Sequence, residues 1–84
     1  MLPYQLVFTR EALDFICRAG EVEMRELDGW FNRLERQPAS PGDYTEPDRS
    51  GRGLQVVVLR HVAITYWTDD AVREVRIIQI VVNP

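Results

Sequence analysis

The chain of 84 residues, 45% hydrophobic and 27% charged, is long enough for one small domain, excludes a second, and does not have the composition of a disordered segment. A net charge of -3 and an isoelectric point near 5.0 exclude a whole-surface electrostatic grip on nucleic acid or anionic membrane, leaving room only for a local basic patch. A single cysteine, Cys17, excludes a disulfide within the chain, and no run approaches the roughly 20 apolar residues that span a bilayer.

Met1-Leu2-Pro3-Tyr4 has neither the basic n-region nor the apolar run of a secretory signal, so the expected location is the reducing cytoplasm. Tyr4-Gln5-Leu6-Val7-Phe8 alternates and is β-prone, which predicts a first strand. Thr9 stands where an N-cap hydroxyl belongs, and Glu11 follows in the first turn, favourably placed against the helix dipole. Ala12, Leu13, Phe15, Ile16 and Ala19 form an apolar stripe at helical spacing, with Gly20 expected as the C-terminal cap, so the first helix covers residues 10–19. Met24, Leu27, Phe31 and Leu34, flanked by Trp30, set a second helix over residues 21–36, which Pro38 ends. Asp14 with Arg18 and Glu21 with Arg25 are i, i+4 pairs in the favourable order.

Residues 38–53 are rich in Pro, Gly, Ser and Asp, lack apolar periodicity and are expected to form one long loop. Leu54 to Arg60 is a β-branched strand, Arg60-His61 a tight reversal, and His61 to Trp67 a second strand. Asp69-Asp70 supplies turn chemistry before a long third strand over residues 72–82. Alternation puts Val62, Ile64 and Tyr66 on the core side of the middle strand, with His61, Ala63, Thr65 and Trp67 on the other. The last strand is apolar on both faces from Ile77 to Val82, which suits a central position with the first strand as its further neighbour. The expected fold is α+β: β-α-α-β-β-β over residues 1–84, a four-stranded antiparallel sheet in order 1-4-3-2, with the helix pair on one face.

The chain opens with Tyr4-x-Leu6-x-Phe8-Thr9-x-Glu11-Ala12 and closes with Ile64-x-Tyr66-Trp67-x-Asp69-Asp70-x-x-x-Glu74-Val75-x-Ile77-x-x-Ile80. With that element order and length it resembles the RelE/ParE superfamily of bacterial toxins, over essentially the whole chain. The resemblance implies the toxin of a type II toxin-antitoxin pair, with an antitoxin as partner. One branch of the superfamily cleaves mRNA in the ribosomal A site, and another inhibits DNA gyrase.

Carried over residue by residue, the resemblance disfavours RNA cleavage. In the RNA-cleaving branch an Arg stands three positions before the Tyr matched by Tyr66; here that position is Ala63. Gln55-Val56-Val57-Val58 occupies the strand where that branch adds Arg or Lys, and Asn83-Pro84 stands where it has a tail with a basic residue and a Tyr or His. Such cleavage needs groups to deprotonate the 2'-hydroxyl, stabilise the phosphorane and protonate the leaving oxygen. A gyrase-type or attenuated toxin is the first expectation. The second is a non-catalytic interaction module that keeps the fold and self-associates, through its helices or an open sheet edge.

His61, Thr65 and Trp67 remain on the outward face, with Arg60 at the adjoining turn and Arg49 and Arg52 in the long loop. One reading makes His61 a proton-transfer group, Trp67 a stacking platform and the three Arg target or phosphate contacts. The plainer reading makes His61 a turn-edge polar residue, Trp67 an amphipathic side chain closing the sheet, and the Arg residues partners of Asp43, Glu46, Asp48 and Asp69. No metal site or cofactor is expected from one Cys and one His, and Cys17 is expected in the helix core. Ser40 and Ser50 lack an activating base, and Gly51-Arg52-Gly53 leads into a strand, unlike a phosphate loop.

Overall fold

Thr9 starts the first helix as its sequence position predicts, its hydroxyl accepting from Ala12 N (3.1 Å) and donating to Ile78 O (2.7 Å). In a computed structural model, which describes residues 3–83 and so leaves Met1, Leu2 and Pro84 outside the described residues, seven elements follow in order. They are β1 (Gln5–Phe8), α1 (Arg10–Arg18), α2 (Glu21–Arg36), β2 (Tyr44–Pro47), β3 (Gly53–Val58), β4 (Val62–Asp69) and β5 (Glu74–Val82).

The five strands form one mixed sheet in the order β1-β5-β4-β3-β2, with β1 parallel to β5 and the other pairs antiparallel. Two expectations are corrected. The region read as an unbroken loop over residues 38–53 contains β2, and the first strand runs parallel, not antiparallel, to the last. The errors have one cause. All four residues of Tyr44-Thr45-Glu46-Pro47 are exposed, so this edge strand has no buried face to pattern its sequence. Omitting one strand from an alternating meander inverts the direction of every strand after it. The expected neighbours were otherwise right, since order 1-4-3-2 is the observed order without β2.

Leu27, Phe31 and Leu34 of α2 and Ala12 of α1 pack on Val57, Val62, Ile64, Tyr66, Val75, Ile77 and Ile80, placing both helices on one sheet face. Phe8 closes one end of this core edge-on against Phe31 (centroids 5.3 Å apart). The β4–β5 register slips between Thr65 and Tyr66, which face Gln79 and Ile77 and leave Ile78 unmatched. That bulge shifts the inward phase of β5 from Val75 and Ile77 to Ile80. It explains why the sequence is apolar on both faces there.

Smaller corrections concern single residues. Cys17 is exposed and not in the helix core. Gly20 is the N-cap of α2, Ala19 being the C-cap of α1. Of the two helical ion pairs, Glu21–Arg25 forms (3.2 Å). Asp70 accepts from the Tyr4 hydroxyl (2.6 Å), tying the approach to β1 onto the β4–β5 turn, and Arg73 supplies that turn's left-handed residue (φ 55°).

Candidate functional site

The face away from the helices is built by alternation. Register sets Val56 beside Thr65, and Val58, Ala63 and Val81 in one row across β3, β4 and β5. Val58 and Val81 are 43% and 42% exposed, so this row is an open apolar stripe. No side chain on it carries a positive charge.

Two cations lie at one end of the face, around Trp67. The Arg52 guanidinium stands 4.0 Å from the ring centroid and that of Arg76 5.7 Å. Trp67 and Arg76 are cross-strand partners. Each cation also meets carboxylates: Arg52 meets Asp48 (3.6 Å), and Arg76 meets Glu74 (2.9 Å) and Asp69 (3.8 Å). Arg76 Nε is buried without a hydrogen-bond acceptor. The sequence missed Arg76 because it began the last strand at residue 72; the turn runs through residue 73, and pairing starts at Asp69 with Glu74, which sets Arg76 opposite Trp67.

Asp48 builds the loop that delivers Arg52. One of its carboxylate oxygens accepts from Ser50 N (2.8 Å), Ser50 Oγ (2.7 Å) and Arg52 N (2.9 Å), and Gly51 takes the left-handed conformation (φ 86°). The Ser50 hydroxyl, followed by the backbone donors and the Arg52 charge, outweighs desolvation and holds the Asp48 carboxyl below its usual range. Arg49 is exposed on the same loop.

The remaining candidates lie elsewhere. Arg52 precedes β3 and Arg60 follows it, so a six-residue strand of about 20 Å separates them. His61 turns to the helix side, contrary to the face assigned by alternation. Its backbone N–H donates to Glu26 Oε1 (2.9 Å) on α2, and its Nδ1 contacts Glu26 Oε2. The first of these bonds is the main reason the Glu26 carboxyl lies below its ordinary range. Asn83 holds the same turn from the other side, donating its backbone N–H to His61 O (2.8 Å) and its amide to Leu59 O (3.0 Å). His61 and Trp67 therefore do not form one site. Glu26, 35 residues from His61, offers no local signal that would find it.

Tyr66 faces the core. Its hydroxyl donates to Ser40 O (2.8 Å), Trp30 lies beside it with ring centroids 6.2 Å apart, and burial pushes its phenol up to about 12. A phenol so placed is a structural anchor for the segment after α2. Among the described residues, no group of three or more His, Cys, Asp or Glu side chains could hold a metal ion, and no helix is long and apolar enough to cross a membrane.

No protein-family model matches the sequence, and no curated protein matches it. Among solved structures, a chain of the RelBE2 toxin-antitoxin complex from Mycobacterium tuberculosis aligns over 98% of this chain and 100% of its own, with a TM-score of 0.72 at 20% sequence identity. The chain has the RelE-type toxin fold.

Proposed function

We propose that this chain is the toxin component of a type II toxin-antitoxin pair that acts by contacting a protein target, of which gyrase is the first candidate, without cutting RNA. The observation that carries the reading is the apolar row Val58–Ala63–Val81 on the open sheet face, where RNA cleavage needs cations. Arg52 and Arg76 do not fill that role, because both sit at the Trp67 end and are matched by Asp48, Asp69 and Glu74. The end-to-end likeness to a chain of a toxin-antitoxin complex supports an antitoxin as partner. In this reading Trp67, Arg52 and Arg49 contact the target, Arg60 lies at the far end of the face, and His61 has no catalytic role.

The test is tightly induced expression of the chain alone in bacteria, beside Trp67→Ala and Val58→Asp variants. Growth arrest by the parent, relieved in both variants, with inhibited gyrase supercoiling and intact mRNA, is the expected result. Cleaved mRNA would overturn the protein-target reading. Normal growth with folded protein accumulating would favour the other reading, a non-catalytic interaction module on the same fold, which the same apolar row also supports.

A further inference from the structure

The sheet is incomplete along half of β5, its second strand. β1 pairs with β5 only from Glu74 to Ile77, so beyond Ile77 no described strand lies on that side. The backbone direction there follows from one bond. Asn83 donates to His61 O across to the β4 side, so by two-residue alternation Val81 and Gln79 also face β4. Ile80 and Val82 must then turn their N–H and C=O groups outward, to the vacant side. Val82 is 62% exposed. An unpaired edge of this kind is a template for another strand.

The vacant side opens into a groove of about 470 Å³ between β5 and α1, lined by Glu11, Asp14, Phe15, Arg18, Ile80 and Val82 among others. α1 begins at one end of the open edge, where Thr9 bonds Ile78 O and Glu11 accepts from Gln79 (3.2 Å). The groove runs on to Arg18, Ala19 and Val82. Its charge is therefore polarised, with Glu11 and Asp14 toward Gln79 and Arg18 toward Val82. Glu23 also lines it, but its carboxylate folds back to within 2.6 Å of where a Gly20 Cβ would stand, against the start of its own helix.

We infer that this edge is the interface with a second copy of the chain, in which two β5 strands pair antiparallel about a two-fold axis at Ile80. The strand and the helix select the same occupant. An antiparallel pair centred on Ile80 makes reciprocal Ile80 N–H to Ile80 O bonds on the axis, using the groups turned outward. The same rotation carries the acidic end of one groove onto Arg18 of the other, since Glu11 and Arg18 share a helix face seven residues apart and flank its midpoint. A uniformly basic peptide would meet Arg18 with like charge, whereas a second copy matches both ends. The product is a ten-stranded sheet across two chains.

Sedimentation equilibrium from micromolar to millimolar protein tests this directly. A reversible dimer is expected. Val82→Pro removes an outward N–H and no bond to β4, so it should give a monomer with the parent's circular dichroism. Arg18→Glu should weaken the dimer by about tenfold, and adding Glu11→Arg should restore it, because the exchange rebuilds the complementarity across the axis. Thermal melts check that each variant is folded. A parent that stays monomeric throughout, or a dimer unmoved by both Val82→Pro and Arg18→Glu, overturns the inference.

Discussion

Tyr66 shows how a residue quoted for a family likeness can serve packing. Its hydroxyl is buried and donates to Ser40 O, so Tyr66→Phe leaves a buried carbonyl unmatched and is expected to cost about 1–3 kcal/mol of stability. Denaturant melts measure that loss, and any growth arrest should persist in the variant. Gly42 also serves packing. A Cβ there would lie 2.5 Å from Val56 O and 2.8 Å from Val56 N, both backbone atoms held in the sheet. Gly42→Ala should therefore break the Asp43 N to Val56 O bond (2.7 Å) and destabilise by about 1–3 kcal/mol, again read by melts. The core face of β4 was legible from alternation, since Val62, Ile64 and Tyr66 are all buried. The partners Glu26 and Arg76 were not, because Glu26 comes from a distant helix and the place of Arg76 depends on the length of the β4–β5 turn.

Among the elements, the helices were the most readable, as a stripe repeating every three or four residues survives small errors in boundary. β2 left no such trace, having no buried side, and the order of the remaining strands survived its loss while their direction did not. β3 is paired on both sides, by β2 and β4. Leu59 donates to Val62 O (2.8 Å), so alternation sends the Val57 N–H toward Ile64. Val57→Pro removes that bond in the core and should abolish folding, seen as loss of the circular dichroism and the cooperative melt. A folded Val57→Pro variant would contradict the strand register.

For the molecule as a whole, acid is the informative stress. The folded state holds the Glu26 carboxyl below its ordinary value of 4.5, chiefly through the His61 backbone N–H. A depressed carboxylate contributes stability that is complete above the ordinary value and is lost as pH falls through the folded one. Glu26→Gln should thus be less stable than the parent at neutral pH, and the gap between their urea midpoints should close as the solution is acidified below that range. A gap that stayed constant with pH would show that the carboxylate charge contributes nothing.

The parallel pairing of β1 with β5 joins residues near opposite ends of the described chain, Gln5 with Glu74 and Phe8 with Ile77. During synthesis β1 emerges first of the described strands, and β5, its one neighbour among them, emerges last of them. Until β5 has cleared the exit tunnel, β1 has no strand to pair with, β4 lacks one of its two neighbours, and the core residues Val75, Ile77 and Ile80 are absent. Closure of such distant contacts is slow, and the half-made sheet exposes strand edges while it waits. The nascent chain therefore cannot display its folded surface before the whole domain is made, a delay set by topology alone.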